Sequence, residues 1–247
     1  MGKAARAACI FTPMALTTAS LICLVLVMVA QLSNNNKAPL TSADTSRFAA
    51  SDEANTKKDL LAALSGSISS KTLKDFYLVG LWSYCEGDSG NGIEDITYCS
   101  SPTTKFWFDP TDVWGLKTTS VQNVLGDGLQ KGLDAYRRVV GWMIWTFIIA
   151  TTLTAAEFVT CFFTCVTRKA SLLTLILSIT SSVFVIVAAT IVTAAYGVLA
   201  GIFNTALESY NLKFSLGKEA LLILWLGVAL RVASGPFWLP TVCCCKP

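Results

Sequence analysis

The chain contains no histidine. That absence removes the Ser-His and Cys-His nucleophile pairs, the usual general base near neutral pH, and most zinc and haem sites. Charge is scarce too. Only 14% of the 247 residues are charged, against about 25% in a soluble domain. A soluble protein of this length would need more charge to cover its surface, so the deficit points to lipid as the missing solvent. The net charge of +3 is small and scattered, which argues against a nucleic-acid partner. No Asn-x-Ser/Thr acceptor occurs, so no N-glycan is expected. No nucleophile–base constellation, phosphate loop or metal cluster is visible. An enzyme activity, a cofactor and a bound metal are therefore not expected.

What the chain does have is long apolar runs. A bilayer core about 30 Å thick needs roughly 20 apolar residues in a helix. Four segments qualify: residues 9–32, 139–166, 171–203 and 216–242. The expected fold is a mainly α membrane protein, a four-transmembrane-helix bundle. Its third span exceeds what lipid requires and is expected to tilt or project. Basic residues set the orientation. Lys3 and Arg6 precede the first span, Arg168 and Lys169 lie between the second and third, and Lys246 follows the fourth. All three clusters fall on one side if the chain crosses four times. Residues 1–8, the turn 167–170 and the tail 243–247 are then cytoplasmic. Residues 33–138 form one large outer loop, and 204–215 form a short second one. Arg137 and Arg138 oppose this arrangement but are outweighed. A cleaved signal peptide competes for the first span, with Met28-Val29-Ala30 loosely resembling a cleavage site. The apolar run of about 24 residues exceeds the 7–15 of a signal core and favours a retained anchor.

Nine cysteines sort by compartment. Cys9, Cys23, Cys161 and Cys165 lie within spans, and Cys243, Cys244 and Cys245 at the inner face. Only Cys85 and Cys99 lie outside, where oxidation is permitted. Two cysteines allow one pairing, the alternative being two free thiols. "DFYLVGLWSYC" and "IEDITYC" are rich in aromatic and β-branched residues and read as strands. The intervening "EGDSGNG" reads as a turn. The result would be a hairpin stapled at its base by the disulfide. A lone hairpin is marginal, so "TKFWFD" and part of residues 33–50 are expected to supply further strands of an extracellular β-sheet. The rest of 33–56 reads as loose. "TKKDLLAALSGSISS" and "TTSVQNVLGDGLQKGLDAYRRV" read as helices, the second with Leu125, Leu129, Leu133 and Tyr136 on one face and continuing into the second span. Glu86, Asp88, Glu94 and Asp95 read as a solvated, charged turn rather than a calcium site or a glycosidase pair.

These residues carry a family resemblance. A long loop after the first of four spans, with Gly80-Leu81-Trp82, then Cys85 and Cys99, resembles the claudin superfamily. Tyr84 before the first cysteine, Ser100 after the second, and Phe108-Asp109-Pro110 further on are more similar to the fungal Sur-seven/PalI tetraspans. Claudins have a shorter cysteine gap and a second tryptophan upstream; here no tryptophan lies between residues 33 and 81. The resemblance implies residence in eisosome-like furrows of a fungal plasma membrane. It also implies association with sphingolipid- and sterol-rich lipid, cortical scaffold proteins and the cell wall, and assembly as a homo-oligomer. The PalI branch implies instead an auxiliary subunit for ambient-pH sensing, and the wider superfamily a claudin-like channel. The short segment after the fourth span favours the Sur-seven side.

Two ionisable residues lie deep in spans, Glu157 in the second and Arg231 in the fourth. Each costs at least about 2.5–3.5 kcal/mol if isolated. Counting about nine residues from the inner end of each span puts both roughly 14 Å deep at 1.5 Å per residue. An interhelical ion pair is expected, locking the bundle. The other readings are a proton or ion pathway, or helices that face apart with Glu157 neutral. Gly197-x-x-x-Gly201 offers a close-packing seam, though the spacing arises often by chance. Cys243, Cys244 and Cys245 beside Lys246 lie where S-palmitoylation occurs, against plain unmodified thiols. Trp142, Trp145, Trp225 and Trp238 suit interfacial anchoring or lipid-facing packing.

Overall fold

The computed structural model describes residues 3–30, 41–44, 74–90, 93–113, 119–163, 168–207 and 213–244. Five helices are described: α1 (Lys3–Ala30), α2 (Pro110–Val113), α3 (Thr119–Cys161), α4 (Arg168–Leu207) and α5 (Lys218–Cys244). Strands β1 (Thr41–Asp44), β2 (Phe76–Val79), β3 (Tyr84–Gly90), β4 (Ile93–Cys99) and β5 (Lys213–Leu216) form one sheet. The chain divides into two units. One comprises Met1–Val29, Trp142–Thr193 and Glu219–Pro247, the other Ala30–Gly141 and Ala194–Lys218.

In the first unit each helix has one buried stripe at three-to-four-residue spacing. On α1 it runs Thr17, Ser20, Leu24, Val27, and on α3 Phe147, Ala150, Thr154, Glu157, Cys161. On α4 it is Thr174, Ser178, Ser181, Val185, Ala188, and on α5 Leu224, Val228, Arg231, Ser234. The residues on these stripes are mostly small, which lets helices approach without a hydrophobic driving force. The large apolar side chains point the other way: Phe11, Leu26, Trp145, Ile176, Ile179, Leu222 and Leu226 are all exposed. In water such a surface would aggregate, whereas in hydrocarbon it is solvated. Among the described residues four helical stretches are long and apolar enough to cross a membrane: Phe11–Val29, Lys131–Cys161, Ala170–Gly201 and Lys218–Phe237. The protein is a multi-pass membrane protein of four spans.

The second unit holds the sheet, with strand order β4-β3-β2-β1-β5 and every pairing antiparallel. β2 and β3 are joined by a two-residue turn. Val79 opposes Tyr84, and the Gly80 N–H donates to the Ser83 carbonyl at 2.9 Å, leaving Leu81 and Trp82 at the tip. The single strand expected over "DFYLVGLWSYC" is therefore two strands folded back on each other. "EGDSGNG", expected as a turn, lies in β3 as far as Gly90. Its first glycine is there for space: a Cβ on Gly87 would lie 2.2 Å from the Asp95 carbonyl oxygen and 2.5 Å from Phe76 Cζ. Opposite Glu86/Gly87 the register shifts by one residue, and the extra residue, Thr97, donates its hydroxyl to the Glu86 carbonyl at 3.2 Å. This is a β-bulge of the kind that increases local twist.

"TKFWFD" is not a strand. Thr103 N–H donates to the Trp82 carbonyl at 2.9 Å and Phe106 N–H to the Thr103 carbonyl at 3.2 Å, a tethered turn in which Phe106 and Phe108 are buried plugs. A strand does form within 33–50, as β1. β5 was not foreseen; it comes from the second loop and pairs Thr41 with Leu216 through Asp44 with Lys213. The helix expected over 56–70 lies outside the described residues.

Candidate functional site

The polar halves of the four stripes meet at Arg231. Its side chain and that of Glu157 are both fully buried. The guanidinium grips the carboxylate with both terminal nitrogens, Nη1 to Oε1 at 3.0 Å and Nη2 to Oε2. Nη1 also donates to Thr17 Oγ1 at 3.2 Å and to Ser234 Oγ at 3.3 Å. Nη2 donates to the Ser178 carbonyl at 3.0 Å and to Ser181 Oγ, and Ser181 Oγ donates to Glu157 Oε2 at 3.0 Å. One side chain on α5 thus holds α1, α3 and α4. A planar fork of donors suits this, because bidentate pairing satisfies the carboxylate while leaving N–H groups for the hydroxyls. The neighbours are serine and threonine because they supply acceptors without adding bulk.

Nearby, Ser20 Oγ donates to the Gly227 carbonyl at 2.8 Å. A Cβ on Gly227 would stand 3.1 Å from Cys23 Cβ. The close helix approach is therefore made at Gly227, between α1 and α5. Gly197 and Gly201 have nothing within 4 Å of where a Cβ would stand. Among the described residues, the spacing expected to make a seam brings no neighbour close to them.

In the second unit the motif residues build a corner. Leu81 and Trp82 are buried at the tip of the β2–β3 turn, and the Gly80 carbonyl accepts from the Tyr196 hydroxyl of α4 at 2.7 Å. Tyr84 N–H donates to Ser100 Oγ at 3.0 Å, and Ser100 N–H returns to the Tyr84 carbonyl at 2.8 Å. Cys85 and Cys99 lie directly opposite in β3 and β4, 4.0 Å apart at Cα, and are joined by a disulfide. The bridge packs with Phe76, Leu78 and Ile96. Phe108 is buried against the rings of Tyr77 and Tyr84 at 6.5 and 5.7 Å. The Asp109 carbonyl accepts from the N–H groups of Asp112 and Val113, and Pro110 opens α2, where a missing N–H does no harm.

The sequence profile of the SUR7/PalI family matches residues 9–236, from the first span into the fourth and across the whole corner. The chain belongs to the SUR7/PalI family. It is similar to the SUR7 family protein pun1 of Schizosaccharomyces pombe, with 26% identity over 170 residues. That match covers 66% of this chain and 58% of the relative. No solved structure matches the chain.

In this SUR7/PalI protein each motif residue has a place in the corner. Glycine and a buried Leu-Trp pair make the turn, the cysteines clamp the hairpin's base, and Phe-Asp-Pro seals it. Of the acidic residues beside it, Asp88 stands opposite Asp95 in the β3–β4 ladder. Asp88 pairs with Lys74 at 2.8 Å on an exposed surface, and the hydrogen bond to Asp88 pushes the lysine pKa up. Burial raises the Glu86 carboxyl, with Lys74 acting against it and Asp88 with it. No metal-holding group of His, Cys, Asp and Glu occurs among the described residues. Cys243 and Cys244 fall in the last turn of α5, and Cys245 lies outside the described residues. Sequence reasoning missed Tyr196, Ser181 and Gly227. Ser171, Thr174, Ser178 and Ser181, at i, i+3, i+7 and i+10 of the third span, were the available signal, and the last two lie in the clasp.

Proposed function

We propose that this protein is a non-enzymatic organiser of the plasma membrane. Both termini are cytoplasmic, and the sheet and its disulfide face outward. The four-helix bundle packs laterally with copies of itself in eisosome-like domains rich in sphingolipid and sterol, supporting membrane and cell-wall organisation. Lipidation of Cys243, Cys244 or Cys245 would reinforce that partition, and cortical scaffold proteins would meet the inner face.

The observation that carries this reading is the four-helix clasp at Arg231. A transporter must move its helices past one another around a polar site. Here such motion would break a bidentate ion pair and several hydrogen bonds in hydrocarbon, so the polar centre favours a fixed unit over a pathway. Among the described residues β4 and β5 are the outer strands of the sheet. Adjacent carboxylates at Glu94 and Asp95 discourage β4 from pairing with its own copy, which favours lateral bundle contacts over assembly through that strand.

Extraction into native-lipid particles followed by mass measurement tests the proposal. A ladder of multiples of one chain supports it. Recovery as a single copy bound to one larger membrane protein would replace it with the auxiliary-subunit reading.

A further inference from the structure

One cleft of the second unit is lined by hydroxyl groups and an aromatic ring. It encloses about 440 Å³ between the start of β3, the segment after β4, and α2, within the 300–1,000 Å³ of small-molecule pockets. Tyr84, Ser100, Ser101 and Thr103 bring four hydroxyls to its lining.

Charge does not select the ligand. Among the described residues no basic side chain lines the cleft, so an anion finds no counter-charge there. A cation gains little: the lining residues Asp109 and Asp112 already have partners of their own, and the Arg137 guanidinium occupies the Trp107 ring at 4.8 Å. No metal-holding group of His, Cys, Asp and Glu occurs among the described residues. An acyl chain would leave the hydroxyls against hydrocarbon, at a cost for each one left without a partner.

The hydroxyls are set instead for a neutral, hydroxyl-rich ligand. Ser100 Oγ accepts from the Tyr84 N–H at 3.0 Å, and Thr103 Oγ1 accepts from the Lys105 N–H at 3.3 Å. The backbone thus fixes each oxygen, and each keeps its own proton to donate. Burial, and then Glu86, Tyr98 and Asp112, push the Tyr84 hydroxyl up, so it stays protonated and can both donate and accept. The Tyr84 ring is half-buried. Phe106, 22° from parallel with centroids 6.4 Å apart, and the edge of Phe108 at 5.7 Å hold it in place. A sugar ring has an apolar C–H face that packs on an aromatic ring and hydroxyls that pair with groups able to donate and accept. Both halves of that recognition stand side by side here.

We propose that this cleft binds a neutral pyranose unit, its C–H face against Tyr84 and its hydroxyls on Ser100, Ser101 and Thr103. A soluble glycan and a glycolipid headgroup share this chemistry. The site is separate from the lateral contacts of the proposed function, so its failure leaves that reading in place.

The test is calorimetric titration of the full chain with cellotriose, mannotriose and chitotriose. A polyoxyethylene detergent is used, because a maltoside would offer the cleft its own sugar. Saturable binding of at least one trisaccharide is expected, unchanged between about 50 and about 500 mM sodium chloride because the ligand is neutral. Thr103→Val, an exposed and near-isosteric change, weakens it at least about threefold by removing one donor. Tyr84→Leu, which removes the ring and its hydroxyl together, also weakens it at least about threefold. Thermal melting shows whether each variant is folded, and Thr103→Val alone decides where Tyr84→Leu is not. No saturable binding of any trisaccharide, binding abolished by salt, or an unaffected folded variant would each overturn the proposal. Phosphatidylcholine nanodiscs separate the two sources. Trisaccharide uptake lost when glucosylceramide is included assigns the cleft to a glycolipid headgroup; equal uptake with and without it assigns the cleft to a soluble glycan.

Discussion

Replacing both partners of the Arg231–Glu157 pair should cost clearly less than the sum of the two single replacements. Both side chains are fully buried, and the pair is bidentate. Removing one partner of such a pair typically costs about 3–5 kcal/mol, because a charge is left uncompensated. The two single changes differ in kind. In Glu157→Gln the guanidinium stays charged, since it cannot release its proton, and its cost falls near the upper end. In Arg231→Met the carboxyl can take up a proton and keep its contact with Ser181 Oγ, so the loss is smaller, about 2–3 kcal/mol. The double variant leaves neutral groups of similar volume, and its loss should be at least about 2 kcal/mol less than the sum of the singles. Reversible unfolding in mixed micelles, followed by tryptophan fluorescence, measures all four proteins. Additivity within about 0.5 kcal/mol would refute the clasp.

Three further outcomes follow from the second unit and the helix contacts. Cys85→Ala with Cys99→Ala removes a bridge closing a segment of sequence separation 14, worth about 3 kcal/mol in the chain-entropy model; thermal melting with and without reductant should show the same drop. Gly87→Ala forces a methyl into the Asp95 carbonyl and Phe76 and should cost about 1–3 kcal/mol or more, whereas Gly197→Ala, with open space beside it, should be neutral in the same melts. Burial raises the Glu86 carboxyl in the folded state, so its contribution favours folding at low pH and is lost as pH rises through the carboxyl range; Glu86→Gln should flatten that part of the stability–pH curve.

The spans and the clasp were legible because lipid imposes simple rules. Length fixes a helix, and a charge at membrane depth requires a partner, so counting residues from the span ends brought Glu157 and Arg231 to one level. The sheet was legible in place but not in detail. Gly80-Leu81-Trp82 carries almost no turn chemistry, because its tip is buried rather than solvated, and the two strands it joins read as one. β3 looked like a loop because Gly87 and its neighbours are usual in turns, while the real need is room for Phe76 and the Asp95 carbonyl. β5 is four residues long and its partner lies some 170 positions away in sequence, so no local pattern marks it. Gly197 and Gly201 had the right spacing but no close neighbour among the described residues. Gly227 had a neighbour, Cys23, and no spacing to announce it.

The claim on which the account rests is that copies of this chain assemble laterally in the membrane. Single-molecule photobleaching of a fluorescently tagged chain in the plasma membrane of living cells tests it most directly. The account predicts slowly diffusing clusters that bleach in several steps. Single-step bleaching of freely diffusing particles at native expression would contradict it.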